Sequence, residues 1–316
     1  MKNSILRLVL ILAFITNVFC QETIFNEIDY NIPISTTELK GTLLTPATIK
    51  NIPLVIFISG SGSPDRNGNS GFLINNSLKY LAESLVKHNI ASYRFDKSII
   101  LESKKEGFKE DNVRFEDEVN EVKEIINHFK KNKSYTKLYI IGHSQGSLVG
   151  ILAADKNADG LISIAGAGRP IDEIIAEQIG KQAPFLKDET ITILSELKKG
   201  KMVEEFNPML TSLFRKSVQP FLISWIKYHP QYEIHKLKIP ILLINGTKDI
   251  QVPQSDAILL KEANTNAELV IIENMNHIFK RIDGGIVENQ QSYTNPNLPI
   301  MEELTQAIVK FIKTNN

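Results

Sequence analysis

Nine residues decide the fold of this chain, and from Leu138 to Gly146 they read LYIIGHSQG. An apolar run leads directly into the pentapeptide at residues 142–146, which has the pattern Gly-x-Ser-x-Gly. When a strand enters such a motif and a helix leaves it, the serine lies on a tight turn with its Oγ projecting from the sheet. Glycine is needed at both ends because a Cβ there would collide with the strand and helix that close around the turn. The stretch therefore predicts a strand, a sharp turn and a helix, with Ser144 as a candidate nucleophile.

Two further apolar runs, each typical of a strand, end close to residues that could complete a catalytic triad. Residues 239–245 are followed by Asp249, and residues 268–272 are followed by His277. The chain order is then Ser, Asp, His, the order found when a Gly-x-Ser-x-Gly turn carries the nucleophile. Side chains beyond the carboxyl ends of parallel strands lie at one edge of the sheet and can meet there. Asp249 and His277 are therefore the predicted partners of Ser144.

Other residues of the chain could be the acid or the base of the triad. Asp256 is the alternative to Asp249, but Ser255 is expected to cap a helix there, which would put Asp256 in its first turn. The alternatives to His277 lie on predicted helices, in or after a helical insertion, or beside the serine, and they are His88, His128, His229, His235 and His143. A histidine adjacent to the serine in sequence cannot easily point at its Oγ. We therefore expect His277 to be the base.

Strand-like and helix-like segments alternate along most of the chain. The predicted strands are residues 54–59, 90–95, 138–141, 160–164, 239–245 and 268–272, and the predicted helices are residues 77–88, 113–131, 147–155 and 302–312. Residues 23–32 and 38–44 are expected to form an antiparallel hairpin at the sheet edge. Alternation of this kind predicts the α/β class, with a mostly parallel central sheet flanked by helices on both faces.

One region interrupts the alternation. From about residue 169 to residue 235 only helix-type signals occur, with amphipathic segments at 173–179, 191–199 and 217–228. An insertion at this point of the sheet would lie above the serine, and we expect it to be a helical lid. The alternative is additional helical packing with no lid function.

Charge and composition limit the possible partners. The chain has 316 residues with 36 basic and 36 acidic side chains, so nucleic acid or an anionic membrane is not expected to be its main partner. No metal or other cofactor is expected, because the chain lacks His-Glu-x-x-His and its six histidines are scattered. Gly60 and Gly62 are not accompanied by the other residues that a phosphate-binding or dinucleotide-binding loop requires. The oligomeric state is not indicated.

The first 20 residues are typical of a signal peptide. Lys2 and Arg7 accompany an apolar stretch over residues 5–19, which is short for a membrane span, and cleavage is expected before Gln21. Lipidation of Cys20 is the alternative, although the bulky Phe19 precedes it where a small residue is needed. Cys20 is the only cysteine, so the mature protein is expected to have no cysteine chemistry and no stable membrane span. The segment predicts a secreted or periplasmic protein.

Taken together, these motifs resemble those of the α/β-hydrolase superfamily over residues 25–316. The chain is most similar to bacterial serine esterases with a helical insertion after the strand that follows the nucleophile. Residues 59–68, which read SGSGSPDRNG, occupy the place of the family's oxyanion loop. That loop usually begins with His-Gly, and here Ser59 replaces the histidine. The resemblance implies a single α/β-hydrolase domain over residues 21–316, with the lid insertion at about 169–235.

The resemblance also implies a role for each candidate residue. Ser144 would be the nucleophile, His277 the base and later the acid, and Asp249 the group that orients the imidazole. The backbone N–H of Gln145 would be one donor of the oxyanion hole. The second donor would be the N–H of Ser61.

Hydrolysis of carboxylic esters is the expected activity, with a small-molecule ester as substrate, because most proteins that resemble this chain are esterases. Three alternatives stay open: a serine peptidase, a thioesterase, and a catalytically inactive binding protein. Asp96, at the end of the predicted strand 90–95, is expected to form an ion pair that stabilises a loop, the alternative being a contact with the substrate. Asp65 and Arg66 are also expected to pair with neighbours.

Overall fold

The computed structural model describes residues 25–47, 50–132 and 134–316. The predicted signal peptide, residues 1–20, and its cleavage site lie outside this part of the chain. In the described residues, the chain forms a central sheet with helices on both faces and a helical insertion between two of the strands.

The central sheet has eight strands and is mostly parallel, as the alternation predicts. The strands of this sheet are β1 (Phe25–Asp29), β4 (Gly41–Pro46), β5 (Ile52–Ile58), β6 (Ala91–Phe95), β7 (Tyr135–His143), β8 (Gly160–Ile164), β9 (Ile241–Gly246) and β10 (Glu268–Ile272). Two short strands, β2 (Ile32–Pro33) and β3 (Glu38–Leu39), pair with each other apart from it. The spatial order is β1-β4-β6-β5-β7-β8-β9-β10. The run from β6 to β10 is parallel throughout, whereas β1 and β4 are antiparallel at the edge. The predicted hairpin is thus confirmed for the described residues.

Helices cover both faces of the sheet because successive strand side chains point to opposite sides. In β7, Ile140 packs into one core and Tyr139 and Ile141 into the other, and all three are fully buried. The flanking and connecting helices are α1 (Ser77–Val86), α2 (Ser98–Glu102), α3 (Phe115–Lys130), α4 (Gln145–Ala154), α10 (Gln254–Ala263), α11 (Ile286–Ser292) and α12 (Glu302–Thr314). Burying one such aliphatic side chain contributes about 1.5–3 kcal/mol, so these two cores stabilise the three-layer arrangement.

The insertion is helical, as predicted, and lies between β8 and β9. It consists of α5 (Ile171–Gln182), α6 (Lys187–Lys198), α7 (Thr211–Phe214), α8 (Gln219–Ile226) and α9 (Pro230–Lys236). Leu197 and Phe214 are fully buried in a small core of its own. The insertion is joined to the main domain where the Trp225 ring stacks on Phe115, with ring centroids 5.3 Å apart.

Several predicted boundaries are wrong. The strand before the motif is longer than predicted, and α4 begins directly at Gln145 instead of residue 147. Helix α10 begins at Gln254, so Ser255 is not its cap, although Asp256 does lie in the first turn. The short helices α2, α7, α9 and α11 were also not predicted, because segments of four to seven residues are too short for periodicity to identify.

Among the described residues, no helix is long and apolar enough to cross a membrane.

Candidate active site

The serine at residue 144 lies on a strained turn between β7 and α4. Its backbone has φ 56° and ψ −120°, a conformation that a residue with a Cβ rarely adopts. The N–H of Ser144 donates to the carbonyl of Ile164 at the end of the neighbouring β8, with a distance of 3.0 Å. Strain of this kind persists only where the surrounding structure holds it. The turn is therefore the strand-to-helix elbow that the Gly-x-Ser-x-Gly spacing predicts.

Both glycines of the motif are required by close packing. A Cβ at Gly142 would overlap the backbone of Gly146, and a Cβ at Gly146 would overlap the carbonyl oxygens of Ile58 and Ser59. The elbow thus presses against the end of β5 with no room for a side chain. As a result Ser144 lies beside the loop that follows β5.

The predicted acid and base are in direct contact. His277 Nδ1 and Asp249 Oδ2 are 2.7 Å apart, with side chains that are 4% and 0% exposed. The other carboxylate oxygen of Asp249 accepts the N–H groups of Gln251 and Val252, at 2.8 and 2.9 Å. A carboxylate oxygen accepts hydrogen bonds, so His277 carries its proton on Nδ1 in this contact. Its Nε2 is left with a free lone pair.

Close backbone packing brings the two loops together. A Cβ at Gly246, the last residue of β9, would overlap the carbonyl oxygen of Met275. Only glycine therefore allows the backbone at the end of β9 to approach the loop that carries His277. The side chain of Asn276 is buried and accepts the N–H groups of Ile278 and Lys280, at 3.2 and 2.9 Å. It thereby closes the turn that carries His277.

His143, the residue before the serine, supports the loop that carries His277. Its Nε2 lies 2.9 Å from the backbone carbonyl oxygen of His277, so it must donate a proton there. Burial lowers the pKa of His143 to about 3, which keeps the ring neutral. This contact commits the Nε2 of His143, and the choice of His277 instead of His143 as the base stays a prediction.

Ser144 and His277 share the wall of a pocket of about 130 Å³. The structure records no hydrogen bond between their side chains. Among the described residues, the alternative bases lie elsewhere: His128 bonds to Tyr30, and His235 bonds to the carbonyl of Ala263. Asp256, the alternative acid, is fully buried in an ion pair with Arg169 and is therefore not available to His277. The remaining alternatives are His88 and His229, which lie after α1 and before α9.

The chain is similar to proteins of known fold and to a known esterase. Residues 75–215 match a family model described as serine aminopeptidase, S33. Esterase EstD of Thermotoga maritima is 28% identical over 260 residues, which are 78% of this chain and 59% of that protein. The chain therefore spans about three fifths of the length of this curated relative.

Two solved structures have a similar fold over nearly the whole chain. Est1E from Butyrivibrio proteoclasticus superposes with a TM-score of 0.59 at 18% identity, covering 91% of this chain and 98% of that chain. The α/β hydrolase GrgF from Penicillium sp. sh18 gives a TM-score of 0.58 at 16% identity, covering 92% and 99%. The chain has the α/β-hydrolase fold.

In this fold, the two predicted oxyanion donors lie close to Ser144. Gln145 is the first residue of α4, where a backbone N–H has no partner within the helix. Ser61 belongs to the loop after β5, and with Gly60 it lines the pocket of Ser144. Neither N–H has a hydrogen-bond partner among the described residues. Both groups are therefore free to receive a ligand oxygen.

The helical insertion does not line the pocket of Ser144. Its residues Arg215, Val218 and Phe221 instead line a second pocket of about 470 Å³, which is also lined by Gly62 of the loop after β5. This second pocket also contains Glu121, whose pKa is raised to about 8 by burial. The lid function of the insertion stays a prediction.

Ion pairs hold the loop after β5, as predicted for Asp96. Its carboxylate accepts the backbone N–H of Arg66 at 2.8 Å and two guanidinium N–H groups at 2.7 and 3.1 Å. Asp65 accepts the N–H groups of Asn67 and Asn69, both at 2.9 Å, within the same loop. Both residues therefore stabilise the loop.

A buried lysine, Lys97, was not predicted from the sequence as part of the site. Lys97 follows Asp96 at the end of β6, and its side chain is only 3% exposed. Its ammonium group contacts the loop after β5 and the side chain of Gln145. Its place after a predicted strand, on the same sheet edge as the other site residues, was the one signal that could have indicated it.

Proposed function

We propose that this protein is a serine hydrolase that cleaves carboxylic esters through an acyl-enzyme intermediate. The observation that carries the proposal is the 2.7 Å contact between His277 Nδ1 and the buried Asp249 carboxylate, beside the strained Ser144. An imidazole whose Nδ1 proton is held in this way has its Nε2 available to accept a proton.

Acylation then proceeds in two steps. As Ser144 Oγ bonds to the ester carbonyl carbon, its proton moves to His277 Nε2, and the carbonyl oxygen becomes an oxyanion held by the N–H groups of Gln145 and Ser61. When the oxyanion collapses, the carbon–oxygen bond to the alcohol breaks and His277 returns the proton to that leaving oxygen. Asp249 remains ionised and stabilises the imidazolium.

Deacylation repeats the same chemistry with water. His277 accepts a proton from the water molecule as its oxygen attacks the acyl carbon, and it then returns the proton to Ser144 Oγ as the acid is released. The products are a carboxylic acid, an alcohol and the free enzyme. The site residues supply every proton transfer, so the proposal needs no cofactor.

Similarity favours an ester as substrate. EstD is named an esterase and shares 28% identity with this chain, and Est1E has a similar fold. The match over residues 75–215 to a family model described as serine aminopeptidase favours a second candidate, the cleavage of peptide bonds by the same triad. A thioesterase and an inactive binding protein are the remaining alternatives.

The deciding experiment measures hydrolysis of p-nitrophenyl acetate, butyrate and decanoate by the protein and by Ser144→Ala. We expect turnover by the unmodified protein only, with a chain-length profile that reports the size of the acyl site. A panel of aminoacyl p-nitroanilides run in parallel tests the peptidase candidate. If neither panel is turned over and a fluorophosphonate does not label Ser144, the protein is a binding protein.

We also propose that the protein is exported, on the basis of the charged and apolar pattern of residues 1–20. Mass spectrometry of the protein recovered from the expressing bacterium tests this. A mature N-terminus at Gln21 supports export with simple cleavage, whereas a lipid-modified Cys20 supports anchoring. An intact Met1 in the recovered protein contradicts both.

A further inference from the structure

Lys97 places a positive charge beneath the loop that follows β5. The residue is 2% exposed, and a lysine at this depth is rare without partners, because removing an ammonium group from water is costly. The neighbouring Asp96 is bound to Arg66 instead, so it does not neutralise this charge. The partners of Lys97 therefore define its role.

The ammonium group of Lys97 joins the two sides of the site. It donates to the carbonyl oxygens of Gly60 and Gly62, at 2.8 and 3.4 Å. It also donates to the side-chain oxygen of Gln145 at 3.2 Å and pairs with the carboxylate of Glu118 at 3.0 Å. One cation thus holds both the loop after β5 and the residue after the nucleophile.

Peptide geometry links these contacts to the oxyanion hole. The peptide bond between Gly60 and Ser61 is trans, so its N–H points away from its carbonyl oxygen. Because that oxygen is bound to Lys97, the N–H of Ser61 points away from the ammonium group. Gly62 has φ +76°, a left-handed turn that brings its own carbonyl back to the same cation. A Cβ built on Gly60 would lie 3.4 Å from that of Ser144, so the loop lies next to the nucleophile.

Among the described residues, no other side chain orients the Gly60–Ser61 peptide. Ser59 replaces the histidine that usually begins the loop, and its Oγ is buried without a hydrogen-bond partner among the described residues. The ion pair of Asp96 and Arg66 holds a later part of the loop. Lys97 is therefore the side chain that fixes the orientation of the Gly60–Ser61 peptide.

We propose that Lys97 is a positioning residue that orients the oxyanion hole, by binding the Gly60 carbonyl on one side of Ser144 and the Gln145 side chain on the other. This inference rests on the proposed function. A hydrogen bond from an ammonium group also polarises the peptide, which strengthens its N–H as a donor. Lys97 acts on the transition state through the loop and does not touch the substrate.

The test compares Lys97→Met with the unmodified protein in its rate of labelling by a fluorophosphonate, whose P=O oxygen needs the oxyanion hole. We expect the second-order rate constant to fall by about 10²-fold or more, the range for loss of one oxyanion donor. With an ester substrate, kcat per titrated active site should fall by a similar factor while KM changes little. A purely structural role would lower the number of active sites without changing kcat per site.

Two further variants separate charge and stability from positioning. Lys97→Met with Glu118→Gln removes the unpaired carboxylate and keeps the measurement possible if the single variant does not fold. Arg169→Met is the matched control, because Arg169 also pairs with a carboxylate, that of the buried Asp256, but does not line the pocket of Ser144. We expect the double variant to label slowly and Arg169→Met to label at the unmodified rate.

The outcomes distinguish this inference from the proposed function. If the unmodified protein is not labelled at all, the serine hydrolase proposal fails. If it is labelled, and a folded Lys97→Met or double variant is labelled equally fast, the role of Lys97 is refuted while the hydrolase proposal stands. Slow labelling of Arg169→Met as well would also overturn it, because loss of any ion-paired cation would then have the same effect.

Discussion

His143 Nε2 donates a hydrogen bond to the backbone carbonyl oxygen of His277 over 2.9 Å, so the residue before the nucleophile supports the loop of the base. The two rings are also in contact, with centroids 4.7 Å apart. A buried donor with a single acceptor of this kind makes the spacing of Ser144 and His277 depend on a neutral His143. This relationship leads to the first prediction.

Acid should destabilise the protein through His143. Burial lowers its pKa from the usual 6.5 to about 3, so between these values the unfolded chain binds one proton more than the folded protein. Stability then falls as pH falls, by about 1.4 kcal/mol per pH unit from this group. We expect His143→Gln, which keeps a donor but does not titrate, to lose that part of the slope in urea unfolding followed by circular dichroism between pH 6.5 and pH 4. Identical slopes in the two proteins would contradict the prediction.

Glu121 should have the opposite effect. Burial raises its pKa from the usual 4.5 to about 8, so between these values the folded protein holds a proton that the unfolded chain has lost. Its contribution to stability therefore falls as pH rises through that window, by about 1.4 kcal/mol per pH unit. Glu121→Gln should unfold at higher urea concentration than the unmodified protein at pH 8 and at the same concentration near pH 4.5. A variant that is less stable at pH 8 would refute the raised pKa.

Loss of the Asp249 charge should abolish most activity. Asp249→Asn no longer holds the proton of His277 on Nδ1, and by comparison with other triads we expect kcat to fall by about 10⁴-fold with little change in KM. Asp256→Asn is the control, because Asp256 is also fully buried but pairs with Arg169. It should lose about 3 kcal/mol of stability and keep its kcat per titrated site. Equal losses of kcat in both variants would mean that Asp249 acts only through stability.

Helix α4 should tolerate alanine at Gly150 and reject it at Gly146, the last residue of the elbow. Gly146→Ala would push a Cβ into the backbone carbonyl of Ile58, which cannot move without disturbing β5, so we expect a loss of at least about 3 kcal/mol. In Gly150→Ala the new Cβ would lie 3.1 and 3.2 Å from side-chain methyl groups of Leu161 and Ile140, which can shift. The gain of about 1 kcal/mol in helix propensity should offset this cost. Thermal unfolding of the two variants compares them directly, and equal melting temperatures would contradict the packing argument.

The elements that were predicted well are those with strong local patterns. Strands β8 and β10 have their predicted bounds, because short, mostly apolar stretches between polar segments are typical of strands. The short helix α2, which contains Ser98, was missed because it has no buried residues and therefore no periodic pattern. The start of α10 was wrong because Pro253, not Ser255, precedes its first turn.

The sequence by itself determined the elbow and the identity of the candidate triad. The spacing of Gly142, Ser144 and Gly146 is a local property of the chain, since the three residues share one turn and its steric limits. The order of Ser144, Asp249 and His277 and their places after apolar runs can likewise be read along the chain. Neither observation requires knowledge of which strands are neighbours.

Only the tertiary structure decided what surrounds the serine. In the sheet β5 lies between β6 and β7, so the loop after β5, Lys97 after β6 and Gln145 after β7 converge on one point. Strand order is not encoded in any local pattern, because it depends on how the crossover helices pack across the whole sheet. For the same reason the contact between His143 and His277, which are 134 residues apart, could not be derived from spacing.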